Sequence, residues 1–285
     1  PAITTLLILS LTLGTIITIS SSHWLLAWAG LEMNTLAIIP IIAKQHHPRA
    51  TEAATKYFLT QATASTLILF SSTINAWKTG QWDISQLSAP ESTIMLTMAL
   101  AMKLGLVPLH FWLPEVLQGS TLQTAMIITT WQKLAPMALL LLTINSLNHQ
   151  VLILLGLTSA LLGGWSGLNQ TQTRKIMAFS SIAHMGWLFL ALTISPNMTL
   201  ITLLTYLLLT TTLFSTLITT TSKTLLDLGT TTHHAPNLLT VSMLTLMSLG
   251  GLPPLTGFIP KWLILTTLTT NGMIMIGTIM ALSTL

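Results

Sequence analysis

The stretch MKLGLVPLHFWLPEV, Met102 to Val116, puts a lysine, a histidine, a glutamate and two prolines into a chain that elsewhere avoids charge. A proline inside a helix removes a backbone donor and costs about 3 kcal/mol or more, and here Pro108 and Pro114 follow closely on Lys103. The surroundings decide what such a stretch is. Only 6% of the 285 residues are charged, 51% are hydrophobic and the mean hydropathy is +0.76, against roughly 25% charged residues in a soluble domain. Asp, Glu, Lys and Arg are absent before Glu32, between Lys133 and Arg174, between Lys175 and Lys223, and after Lys261. Each of these runs exceeds the ~20 residues that cross a bilayer as a helix. The chain therefore reads as an all-α polytopic membrane protein, and the quoted stretch as an interrupted transmembrane helix.

Hydropathy and the Gly, Pro, Asn and Ser punctuation predict about ten spans, over 2–20, 25–43, 57–77, 93–118, 122–144, 151–170, 175–194, 198–220, 238–267 and 272 onward. The scattered threonines do not argue for a barrel, because the alternating strand pattern of ~10 residues is missing. Two spans are interrupted. Span four carries Pro108 and Pro114, and span nine reads SLGGLPPLTGFIPKW, Ser248 to Trp262, with Pro253, Pro254 and Pro260 beside Gly250, Gly251 and Gly257. In lipid the freed carbonyls need a polar cavity or neighbouring protein. Spans four and nine are an odd number of crossings apart and so run in opposite directions. That predicts one transmembrane domain over 1–285 built of two inverted repeats, roughly 1–146 and 147–285, each with one broken helix.

Loop charge predicts the orientation. Lys44, Arg49 and Lys56 follow span two, Arg174 and Lys175 follow span six, and Lys223 follows span eight, all on one side, whereas Lys78 alone lies on the other. By the positive-inside rule the N-terminus faces the side of synthesis, which in a mitochondrion is the matrix. Trp24, Trp77 and Trp82 fit an interfacial aromatic belt.

Several function classes fall away on composition. Ten basic and six acidic residues, a net charge of +4, are too few and scattered for a nucleic-acid footprint. The absence of cysteine excludes disulfides, Fe–S clusters and thiolate metal sites. The apolar first twenty residues lack the basic flank and cleavage site of a signal peptide and read as a retained helix. A start at Pro1 without methionine and an end at Leu285 within an apolar run read as a chain trimmed at both ends.

Four charges lie inside spans: Glu32 in WAGLEMNTL, Lys103, Lys133 in TWQKLAPM and Lys261 directly after Pro260. Each costs roughly 2.5 to 3.5 kcal/mol at mid-membrane. A lysine near a helix end can instead snorkel to the interface, and Glu32 can cap or pair with a neighbouring helix. Glu115 divides between the interface and the interior. His110 and His184 lie within spans and read as satisfied core residues, proton relays or haem ligands, whereas His46, His47, His233 and His234 fall in loops. Burial favours neutral amine and a nearby carboxylate favours ammonium, so a lysine passed between two such environments can take up and release a proton. A buried polar axis of this kind would move charge across the membrane. The open alternatives are a self-standing cation/proton antiporter and a haem-binding electron carrier using His110 and His184.

Five motifs then carry a resemblance: LEMNTLAIIPI, KLGLVPLHFWLPEVLQG, WQKLAPM, RKIMAFSSIAHMGW and GGLPPLTGFIPKW, in this order over nearly the whole chain. Together they resemble the antiporter-like membrane subunits of respiratory complex I, in the form found in vertebrate mitochondria. The resemblance implies proton translocation coupled to electron flow from NADH to ubiquinone in the inner mitochondrial membrane. It places Glu32 as the glutamate partner, Lys103 and Lys261 as the two broken-helix lysines and Lys133 as the central lysine, with His110 and His184 on a hydrated axis. It implies other membrane subunits of the complex, and lipids, as partners. It also implies that this chain binds no cofactor, with NADH, FMN, Fe–S clusters and ubiquinone held by other subunits. No Gly-rich dinucleotide loop occurs here.

Overall fold

The computed structural model of the chain describes residues 2–44, 47–230 and 235–284. His46, His233 and His234, read above as loop residues, lie outside the described residues. The helices are α1 Ala2–Ser20, α2 Trp24–Ala43, α3 Pro48–Thr79, α4 Pro90–Leu104, α5 Trp112–Gly119, α6 Leu122–Thr129, α7 Leu134–Leu142, α8 His149–Leu168, α9 Thr173–Ile194, α10 Pro196–Thr220, α11 Leu225–Thr230, α12 Pro236–Gly250, α13 Phe258–Thr270 and α14 Ile274–Ser283. No strand forms among the described residues, where isolated bridges join His23 to Asp83 and Gln172 to Thr224. Among the described residues six stretches are long and apolar enough to cross a membrane: α1, α2, Leu122–Leu142, α8, α9 and α10.

Helix starts follow local chemistry. Pro48, Pro90, Pro196 and Pro236 each open a helix at a position where the missing N–H would have had no helical partner. His47 Nδ1 accepts from Arg49 N at 3.3 Å, and Ser195 Oγ accepts from Met198 N at 3.3 Å. α3 begins at Pro48 rather than Tyr57, so Lys56 sits on a helix and not in a loop. Its 32 residues measure ~48 Å, longer than the ~30 Å hydrocarbon core. Its first turns therefore extend beyond the apolar layer.

Spans four and nine are broken where the prolines and glycines predict, at 105–111 and 251–257. The two breaks share one backbone plan. α4 ends on Gly105 at φ +78° and α12 on Gly251 at φ +82°. Three residues on, Pro108 and Pro254 follow cis peptide bonds, and helix resumes at Trp112 and at Phe258. The close of α12 is tight: a Cβ on Gly257 would lie 1.8 Å from Ser248 O.

Two expectations need correction. Span five is also interrupted, by a 3₁₀ turn at Trp131–Lys133 between α6 and α7. Pro136 lacks the N–H that would bond the carbonyl of Gln132, so the helix tightens just before it. The loop after span eight contains α11, which sequence punctuation did not flag. Thr224 and Asp227 form a capping box there: Asp227 Oδ2 accepts from Thr224 N at 2.9 Å, and Thr224 Oγ1 accepts from Asp227 N at 3.2 Å. Those donations, first that from the Thr224 backbone, hold the Asp227 carboxyl below the usual carboxylate range.

The chain forms two compact units, one of residues 1–105, 109–124 and 131–151, the other of 106–108, 125–130 and 152–285. In the first, α2 packs between α1 and α3, while α3 also meets α4 and α5, and α7 meets α1 and α4. α1 and α2 approach at Gly14 and Gly30, where a Cβ on Gly14 would come within 2.9 Å of Gly30 O. Small residues let helices meet this closely in a membrane. Trp24, expected in an interfacial belt, is buried in this unit, whereas Trp77 is exposed. In the second unit α10 packs on α9 and α12, and α13 on α9, α10 and α14. Ala160, Trp187, Leu190, Ile264, Leu268 and Met280 build its core.

Candidate functional site

At each helix break a side chain donates to a backbone carbonyl beside the interruption. At the first, Trp112 Nε1 donates to Met102 O at 3.1 Å, one residue before Lys103. At the second, Lys261 Nζ donates to Leu249 O at 3.0 Å and to Gly250 O at 3.1 Å. A cation at this C-terminus also meets the negative end of the α12 dipole. At the third, Tyr206 Oη donates to Thr129 O at 2.9 Å, at the last residue of α6.

Gly251 serves this closure twice. Its φ of +82° suits glycine, and a Cβ there would lie 2.9 Å from Lys261 Cδ and Nζ. Gly251→Ala is expected to lower stability by about 1–2 kcal/mol from the left-handed backbone alone. A fall in the midpoint of thermal dissociation, measured on the assembled protein, checks it.

The first unit holds Glu32, Lys103, His110 and Lys133. Lys103 is 6% exposed, His110 9% and Lys133 3%, so neither lysine reaches water as a snorkelling side chain would. Glu32 is half-buried on α2 and acts electrostatically on Lys103 and on the buried phenol of Tyr57. Lys103 Nζ and Glu32 Oε2 make no hydrogen bond among the described residues, so the attraction acts across space without a direct contact. His110 precedes α5, its carbonyl accepting from Leu113 N at 3.1 Å and its ring lying 4.3 Å from that of Phe111. Lys133 closes the 3₁₀ turn and starts α7. Glu115 stands apart from these groups. Its exposed carboxylate takes Lys56 Nζ at 2.6 Å, and the same ammonium meets Glu52 at 2.6 Å.

The second unit brings Lys261 and His184 together. Both line a cavity of ≈ 230 Å³ with Ser180, Trp187, Gly250 and Thr284. Lys261, 9% exposed, lies 5.9 Å from the centre of the Trp187 ring, within range of a cation–π attraction. The His184 ring sits 5.4 Å from Tyr206. Sequence reasoning overlooked Trp112, Trp187 and the tyrosines. A signal existed: the chain has two tyrosines, Tyr57 and Tyr206, and both are buried, where a phenol needs a partner.

The chain as a whole has relatives. Residues 21–285 match the family described as NADH:quinone oxidoreductase/Mrp antiporter, TM. The NADH-ubiquinone oxidoreductase chain 2 of Struthio camelus is 60% identical over 278 residues, 98% of this chain and 80% of that protein. A chain of respiratory complex I from Thermus thermophilus with bound aureothin superposes with a TM-score of 0.92 at 30% identity, over 100% of this chain and 67% of that one. An Mrp complex from Dietzia sp. shares the fold alone, with a TM-score of 0.86 at 18% identity, over 98% of this chain and 57% of that one. With a family match over most of its length and relatives this similar, the chain belongs to the NADH:quinone oxidoreductase/Mrp antiporter family of membrane proteins.

Proposed function

We propose that this chain is a membrane subunit of a proton-translocating NADH:ubiquinone oxidoreductase, in which Glu32, Lys103, Lys133, Lys261, His110 and His184 carry protons in step with electron transfer elsewhere in the complex. One observation carries the reading: three lysines are buried at three interruptions of otherwise apolar spans. An apolar chain gains no stability from such charges, which cost several kcal/mol unless solvated. At the α12 break the solvation is explicit, two carbonyls on one ammonium. The mechanism needs each amine to alternate between charged and neutral. The Glu32 carboxylate acts on Lys103 through space, and the breaks supply carbonyls that a proton-carrying chain of groups can use.

The protein is a multi-pass protein of the mitochondrial inner membrane, with other membrane subunits of the complex as its partners. Its exposed apolar faces meet lipid, and its N-terminus faces the matrix. The orientation is supported by the pairing of two basic loops: Gln172 bridges Thr224, and Thr173 N donates to Lys223 O at 3.1 Å, which gathers Arg174, Lys175 and Lys223 on one side. The shared backbone plan of the two breaks supports inverted repeats of roughly 1–146 and 147–285. NADH, FMN, Fe–S clusters and ubiquinone belong to other subunits, and this chain contributes charge movement without redox chemistry of its own.

Glu32→Gln against Glu32→Asp tests the reading. Gln removes the anion that stabilises the Lys103 ammonium, whereas Asp keeps the charge at shorter reach. In the assembled complex, coupled NADH:ubiquinone turnover is expected to fall about two- to tenfold with Gln, a loss of roughly 0.4–1.4 kcal/mol, and less with Asp. Equal loss in both would make geometry rather than charge the cause, and an undiminished rate with Gln would leave Glu32 as a packing residue.

A further inference from the structure

We infer that Tyr206 is a positioning residue of the proton path, holding the His184 imidazole and the end of α6 in one fixed arrangement. The inference rests on the reading of His184 as part of that path. Tyr206 is 2% exposed in the middle of α10, and a phenol so buried keeps its place only where its hydroxyl is bonded. Its Oη donates to Thr129 O at 2.9 Å. The 3₁₀ turn at Trp131–Lys133 takes from that carbonyl the donor that a continuous helix would supply. The phenol thus replaces a lost backbone bond and stabilises the interruption.

The same ring is shared with α9. Ser181 lies beside the phenol, its own hydroxyl donating to Ala178 O at 2.7 Å, and one turn on, at i+3 on the same helix face, His184 lies with its ring 5.4 Å from that of Tyr206 and tilted by 43°. One rigid side chain with two soft torsions therefore ties His184 and Thr129 together, with Ser181 beside it. On its other side His184 lines the cavity that also holds Lys261. A shift of the phenol would move the imidazole relative to that cavity, and proton transfer falls off steeply once donor and acceptor leave hydrogen-bond reach.

Tyr206→Phe in the assembled complex is the test, since it keeps the ring against His184 and deletes the donor to Thr129. Coupled NADH:ubiquinone turnover is expected to slow about two- to tenfold, the range of one buried hydrogen bond, with NADH oxidation by an artificial acceptor unchanged. Ser181→Ala, which leaves the ring and its bond to Thr129 in place, is expected to slow turnover in the same direction by less. Because the phenol acts through the imidazole, Tyr206→Phe combined with His184→Gln should be no slower than His184→Gln alone. Undiminished turnover in Tyr206→Phe, or slowing that multiplies with that of His184→Gln, would overturn the inference while leaving the path intact. Normal turnover in His184→Gln would instead remove His184 from the path and this inference with it. Should Tyr206→Phe not assemble, Ser181→Ala decides on the same criteria.

Discussion

Lys133→Met is expected to cut coupled turnover of the assembled complex about a hundredfold or more, the low end of what one acid–base group contributes to a proton-transfer step. Met keeps the unbranched stem and most of its volume, so the packing around this 3% exposed side chain survives. What disappears is the protonatable amine at the centre of the interrupted fifth span. NADH oxidation by an artificial acceptor, which bypasses the membrane step, should stay near its normal rate. The decisive measurement is proton pumping per NADH oxidised in proteoliposomes at matched assembly. Normal pumping would make Lys133 a structural residue and leave the proton path without its centre.

Gly257→Ala is expected to have the largest effect on assembly. The added methyl would sit 1.8 Å from the Ser248 carbonyl oxygen and 3.4 Å from Leu209 Cδ1. The first contact is with backbone, which cannot rotate aside as a side chain can. Either α13 must move away from the end of α12 or the α12 terminus must unwind. Overpacking typically costs 1–3 kcal/mol and more when backbone is displaced, so a loss of about 3 kcal/mol or more is expected. A displaced α13 would also carry Lys261 away from Leu249 O and Gly250 O. Gly250→Ala is the control, because a Cβ there meets nothing within 4 Å. Native electrophoresis of the complex should show the Gly257 variant depleted and the Gly250 variant at near-normal level. Equal abundance would show that α12 and α13 do not close as described.

Much of the fold was legible because apolar length and backbone chemistry are local. The spans announced themselves as uncharged runs, and Pro108, Gly251 and Pro254 marked both breaks of spans four and nine. Pro136, three residues after Lys133, carries the same signal for span five, where the apolar run is otherwise continuous. The TLLD sequence, Thr224 to Asp227, was likewise a legible capping box for α11. Trp24 misled for the opposite reason. A tryptophan at a helix start reads as an interfacial anchor, and only its neighbours reveal that it is buried.

The candidate site divides along the same line. The residue order alone sets Glu32, Lys103, Lys133 and Lys261 among apolar neighbours but leaves a snorkelling lysine open, and it is burial, at 6%, 3% and 9% exposure for the three lysines, that closes that alternative. Residue order also determined that the prolines must free carbonyls, since a missing N–H is covalent fact. Which side chains reach the carbonyls beside the breaks only the packing decides. Trp112 reaches Met102 O across 10 residues, Lys261 reaches Leu249 O across 12, and Tyr206 reaches Thr129 O across 77. No local pattern records such pairings. A hydrogen bond needs its two atoms within about 3 Å of each other, and only the packing of separate helices brings them there.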